Sequence, residues 1–230
     1  MINNTLQPWA LDPDEAIRMQ EDMRQKLVLT WDGRKVHTIA GVAFHESVSS
    51  VVAAIAVFHY PDLTPISTFT GEAPPAFPYI PGLLVYRVGP AILNAWQKVT
   101  EKPDLLLLQA HGIAHPRGMG LASHVGLWLN IPTIGVAKTL LYGCESGVSD
   151  KVGDWTDLLD EHNSKQVIGA VLRTCESARQ VYVSAGHLID LPHAIAFVLA
   201  ACRDHRLPEP IRSAQAAAAH KKPAYEKQVS

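Results

Sequence analysis

Apolar and polar positions change their period several times along this 230-residue chain. Behind Asp12-Pro13-Asp14, the residues Ala16, Met19, Met23 and Leu27 recur at helical spacing, which predicts a helix with an acidic first turn. The pattern then turns to β-branched apolar runs. Val36 to Phe44 and Val51 to Tyr60 flank the polar link His45 to Ser50, and Leu63 to Phe69 follows, so three antiparallel strands are predicted. Prolines at 74, 75, 78 and 81 make Gly71 to Pro81 a stiff, extended loop. Helical spacing returns from Gly82 to Thr100, with a break expected at Gly89-Pro90. Asp104 to Ala110 is a continuous apolar run, as in a strand covered on both faces. After a Gly- and Pro-bearing loop come a helix, Leu121 to Leu129, and a second buried strand, Pro132 to Lys138. Beyond Gly143 the pattern weakens to a strand pair, Val167 to Arg173 and Val181 to Ala185, then an amphipathic helix, Leu191 to Arg203.

Three antiparallel strands followed by helix, strand, helix, strand is the order of an α/β, ribonuclease H-like mixed sheet with helices on both faces. The length suits one domain, taken here as residues 1–212, with 213–230 as a basic, disordered tail. Hydrophobic residues make up 47% and charged residues 18%, which excludes a disordered chain. A net charge of −2 excludes binding nucleic acid by bulk charge, so any such function needs a local patch. Cys144, Cys175 and Cys202 are odd in number and far apart, which fits neither a disulfide framework nor a metal pair and favours a reducing, cytoplasmic compartment. Met1 to Leu11 lacks the pattern of a signal peptide, and the apolar runs are too short to cross a bilayer.

Four stretches carry candidate chemistry. In Pro78-Tyr79-Ile80-Pro81-Gly82 an aromatic ring stands between two prolines, a stiff tip suited to stacking on a base, or equally to plugging a core. His111-Gly112-Ile113-Ala114-His115-Pro116-Arg117 follows a buried strand, where α/β sheets place ligands. Its HxxxH spacing is a weak zinc signal, because glycine and proline oppose a helix there. Lys138 ends the next strand at the same edge and could hold a phosphate or steady a water. Ala185-Gly186-His187 ends another strand. A lone strand-end lysine or histidine is more often structural.

Taken together, PYIPGLL at 78–84, HGIAHPR at 111–117, GLASHVG at 120–126, PTIGVAK at 132–138 and RLPEPIR at 206–212 resemble the endonuclease V family in order and spacing. The resemblance runs from the first helix to about Arg212. It implies a ribonuclease H-like, Mg²⁺-dependent enzyme of DNA repair that recognises inosine in DNA or RNA and cleaves on its 3′ side. It implies Tyr79 as the tip of a wedge, flanked by Pro78 and Pro81. Ile80, Gly82, Gly112 and Ala137 would line a pocket for the flipped hypoxanthine. His115 and Lys138 would stand beside the scissile phosphate, Arg87 and Arg117 would engage the strand, and His187 would lie near the active centre.

The chain departs from the family where the metal should bind. The family's carboxylates correspond to Ala43, Val88 and Gln109, and no acid lies between Glu72 and Glu101 or between Asp104 and Glu145. Mg²⁺ is a hard cation held through carboxylates, so no metal and no cofactor are expected here. Glu46 is three residues past Ala43 and faces the other side of a strand. Asp104 lies roughly 15 Å down the strand that Gln109 ends. The leading expectation is therefore a monomeric homologue that keeps the nucleic-acid-binding face and has lost cleavage. The rivals are an active enzyme with a rearranged site built on Glu72, His115 and His187, and an interaction scaffold that binds no nucleic acid.

Overall fold

The computed structural model describes residues 12–176 and 178–220. The reading of Met1 to Leu11, and the last ten residues of the expected tail, lie outside them. Asp12 caps α1 (Pro13–Arg24), its carboxylate accepting from the Glu15 N–H at 2.9 Å. Pro13 opens the first turn, where its missing N–H leaves no bond unmade. The three expected antiparallel strands are β1 (Thr38–Glu46), β2 (Val51–His59) and β3 (Pro65–Ala73). The turn between the first two closes with the Ser47 N–H donating to the Ser50 carbonyl at 2.8 Å. Next come α2 (Leu84–Lys98), β4 (Leu105–Leu108), α3 (Leu121–Leu129) and β5 (Thr133–Ala137). The chain continues through β6 (Cys144–Glu145), β7 (Trp155–Leu159), β8 (Val167–Leu172), β9 (Val181–His187), α4 (Leu191–Ala201) and α5 (Glu209–His220).

All nine strands form one sheet, ordered β3-β2-β1-β4-β5-β9-β8-β7-β6. The β1–β4 and β4–β5 pairings are parallel, and all the others are antiparallel. The carboxyl ends of β1, β4 and β5 therefore share one edge, and the loops that follow them meet there. Alternation along β1 splits the core in two. Ala40 and Val42 pack with Ile92 of α2 and Trp128 of α3, whereas Ile39 and Ala43 pack with Ile195 of α4 and Ile211 of α5. No helix among the described residues is long and apolar enough to cross a membrane.

The fold corrects three expectations. α2 runs unbroken through Gly89-Pro90. Proline inside a helix costs about 3 kcal/mol through its lost bond and ring clash. Val88, Ala91, Ile92 and Ala95, all fully buried, hold the helix together against that cost. Residues 213–220 are not a tail: they belong to α5, where Ala214 and Ala218 are fully buried against the sheet. The alanine run is a packing face whose small side chains let the helix lie close. Between Gly143 and Val167 the strands β6 and β7 extend the sheet. Both are short and half-exposed, so neither carries the apolar run that marks a central strand.

Candidate functional site

At the shared edge, the loop before α2, the loop after β4 and the loop after β5 enclose a cavity of about 490 Å³. That is within the usual size for a small-molecule or base pocket, about 300–1,000 Å³. Its lining includes Tyr79, Ile80, Pro81, Gly82, Gln109, His111, His115, Ala137 and Lys138. So the first three candidate stretches, separated in sequence by residues 83–110 and 118–131, share one wall. Tyr79 is 67% exposed, with Leu140 (40%) and Leu141 (38%) also at the cavity. An aromatic and two aliphatic side chains standing in water around an opening suit the faces of stacked bases.

One carbonyl fixes the aromatic loop. Gly82 sits at φ +82°, which glycine adopts without strain, and any Cβ there would come within 2.8 Å of the Arg117 guanidinium. Its carbonyl accepts from Gln20 Nε2 at 2.9 Å, His115 Nε2 at 2.9 Å and an Arg117 terminal nitrogen at 3.0 Å. Gln20, on α1 and 1% exposed, also donates to the Met119 carbonyl and accepts from Arg117 Nε at 2.6 Å. This residue escaped the sequence reading. Its only signal is a glutamine inside the apolar stripe of α1, between Met19 and Met23.

Several predicted residues have other employment. His115 is 4% exposed. Its Nε2 donates to Gly82, and its Nδ1 accepts from the Arg117 N–H at 3.2 Å and the Met119 N–H at 3.4 Å. Burial pushes its pKa down to about 4, so the ring is neutral and both nitrogens are engaged. It lines the cavity as a brace for the loop, with no ring nitrogen left for a phosphate. Arg117 is spent on Gln20 and Gly82 in the same way. Arg87 pairs with Glu46 and donates to the Phe77 carbonyl at 2.9 Å, which ties α2 to β1 and to the start of the aromatic loop. His187 is misplaced by the sequence reading. Because β9 runs antiparallel to β5, His187 pairs with Thr133 at the amino end of β5, whereas Lys138 follows the carboxyl end. Five residues of strand, roughly 16 Å, separate them. There the His187 Nδ1 accepts from the Val28 N–H at 3.3 Å. Gly112 faces β9 instead of the cavity: a Cβ would meet the Ala185 carbonyl at 2.0 Å, and its N–H donates to the Ser184 hydroxyl at 2.8 Å. Ala110 and Gly120 line the cavity near it. Pro78 is exposed beside Tyr79, outside the lining.

The positions expected to bind metal do not suit one. Ala43 and Val88 are fully buried in separate apolar clusters on opposite faces of the sheet. Gln109 reaches the cavity with a neutral amide. Glu46 is held by Arg87, Glu72 accepts from the Ser50 hydroxyl at 2.6 Å, and Asp104 binds the His37 and Thr38 backbone at the far end of β1. Glu72, His115 and His187 therefore do not converge as a substitute site. No group of three or more His, Cys, Asp or Glu able to hold a metal occurs among the described residues. The donor set does not fit Mg²⁺.

Fold and cavity together define a ribonuclease H-like protein with a base-sized pocket at the carboxyl edge of its central strands. The family model for endonuclease V matches residues 21–216. Endonuclease V of Trichormus variabilis is 44% identical over 218 residues, covering 93% of this chain and 97% of that protein. The crystal structure of endonuclease V from Streptomyces avermitilis superposes with a TM-score of 0.84 at 33% identity, covering 92% of this chain and 93% of the other. That of Ciona intestinalis endonuclease V, in complex with a 23mer DNA containing an inosine, gives a TM-score of 0.80 at 26% identity, covering 90% and 95%. The chain belongs to the endonuclease V family.

Proposed function

We propose that this protein binds inosine in DNA or RNA through the retained pocket and aromatic tip, and has given up metal-dependent cleavage. The observation that carries the reading is the contrast within one edge. A base-sized cavity with Tyr79, Leu140 and Leu141 around it stands beside ligand positions occupied by Ala43, Val88 and Gln109. The Ciona relative bound to inosine-containing DNA supports the choice of ligand. Lys138 is the single formally charged residue in the lining, since His111 and His115 are held toward their neutral forms by burial. A wall without carboxylates does not repel a phosphodiester, so binding needs no divalent ion to screen it. Cys144, Cys175 and Cys202 form no disulfide, which supports action in a reducing cytoplasm.

The test uses labelled oligonucleotides at low salt, once with a chelator and once with Mg²⁺ or Mn²⁺. Inosine strands bind more tightly than adenine controls under both conditions, and neither is cut. A Tyr79→Ala change lowers affinity by about 1–3 kcal/mol while leaving the fold intact. Robust metal-dependent cutting that Lys138→Ala abolishes would sink the loss of cleavage. Absence of any shift at low salt would favour the interaction scaffold instead.

A further inference from the structure

His111 lies in the cavity wall, on the loop that carries Gln109 and against the loop that carries Lys138. Its Nε2 stands 3.0 Å from the Thr139 carbonyl. A carbonyl only accepts, so Nε2 carries the proton, and in a neutral ring Nδ1 is left with a bare lone pair. Burial lowers the pKa of this ring, which keeps it neutral near pH 7. No hydrogen bond to Nδ1 occurs among the described residues, and Nδ1 is not among the fully buried polar atoms without a partner. The wall of the pocket thus holds an acceptor whose tautomer is set from behind by the backbone, with its own bond still to make.

Hypoxanthine and adenine differ at the edge such an acceptor would read. Deamination turns the 6-amino group into a carbonyl and places a hydrogen on ring nitrogen 1, which in adenine is a bare acceptor. Two lone pairs facing each other repel, and a lone pair facing an N–H bonds. We propose that His111 is a specificity-determining residue, its Nδ1 accepting from the ring N–H that deamination creates and so favouring hypoxanthine over adenine. Gln20 and His115 cannot serve as acceptors, because Gln20 Oε1 already accepts from Arg117 Nε and His115 Nδ1 from the Arg117 and Met119 N–H groups. The assignment rests on the reading of the protein as an inosine binder, and it adds the group that makes the choice.

The experiment measures affinity of the wild type, His111→Ala and His111→Asn for matched oligonucleotides carrying hypoxanthine, adenine or unsubstituted purine, which lacks both the carbonyl and the ring N–H. The wild type binds hypoxanthine best. His111→Ala lowers the hypoxanthine-to-adenine affinity ratio about tenfold, as loss of one hydrogen bond to a buried partner should, and does not weaken adenine or purine, which no longer face the Nδ1 lone pair. His111→Asn, whose side-chain carbonyl can still accept, restores part of the ratio and covers the case in which the alanine variant folds poorly. A parallel fall for all three bases would overturn the proposal, since it would mean that His111 only props the wall through Thr139. A wild type without preference for hypoxanthine would overturn the inosine-binding reading itself, and this assignment with it.

Discussion

The carboxyl edge of the central strands has two sides that are built differently. On the side of the aromatic loop, Gln20, Gly82, His115 and Arg117 form a closed polar network in which three donors meet one carbonyl. On the side of β1 and α2, Ala43 and Val88, the positions that the family resemblance assigns to metal ligands, are fully buried in apolar clusters. A polar network cannot lose one member cheaply, because each loss strands a buried partner. A cluster of carboxylates around a metal is the opposite case. Without the cation the acids repel one another and are costly to bury, so aliphatic replacements stabilise. Under the proposed loss of cleavage, the same physics would preserve the first side and favour aliphatic residues on the second.

The strongest way to break this comparison is to place an acid on the apolar side. Val88→Glu would bury a carboxylate among the residues of α2 and β1 that now pack tightly. It is expected to cost about 3 kcal/mol or more, read from urea unfolding at pH 7. Adding millimolar Mg²⁺ to the variant should recover little, because Ala43 lies on the opposite face and offers no second acid. A variant as stable as the wild type would show that the site still tolerates charge, and the two sides would no longer differ in kind.

The converse change tests the preserved side. Gln20→Leu keeps the volume but removes two donors and the acceptor for Arg117 Nε. Leaving a partly buried guanidinium N–H and two carbonyls short of partners should cost about 2 kcal/mol in the same unfolding assay. The aromatic loop should also loosen, with faster amide exchange near Ile80 to Leu83. A loss below about 0.5 kcal/mol would mean the network is decorative and that surface-like rules apply.

Much of this arrangement was legible from residue order, and the exceptions share a cause. Periodicity located β1, β2, α3, β5, β8, β9 and α4 to within a few residues, because each has an apolar face or run. The short strands β6 and β7 are half-exposed and have no such signal. Tyr79, Gln109, Ala137 and Lys138, singled out in three separate motifs, line one cavity. His187 went astray because a strand-end position says nothing about strand direction, and β9 is antiparallel to β5. The roles of His115, Arg87 and Arg117 could not be read either. A cation or imidazole in a loop looks free in sequence, and only the fold brings up Gly82, Glu46 and Gln20 to engage them.

Acid perturbs the braced side without a substitution. His115 is pushed down to about 4 and His124, set edge-on between Tyr86 and Trp128, to about 3, both chiefly by burial. In the unfolded chain each takes up a proton near pH 6.5. Between that value and about 4 the unfolded state holds more protons than the native one, so stability rises with pH there. The contribution is complete above about pH 6.5 and is lost as pH falls toward 4, at about 1.4 kcal/mol per pH unit for each ring within the window. Protonated Nδ1 of His115 would also confront the Arg117 and Met119 N–H groups, which need an acceptor. Urea midpoints at pH 7, 6 and 5 should therefore fall steadily in the wild type and less steeply in His115→Gln, whose amide can still donate to Gly82 but does not titrate. An identical pH dependence in the two proteins would mean that the acid sensitivity lies elsewhere in the fold, and that the loop brace carries no special share of it.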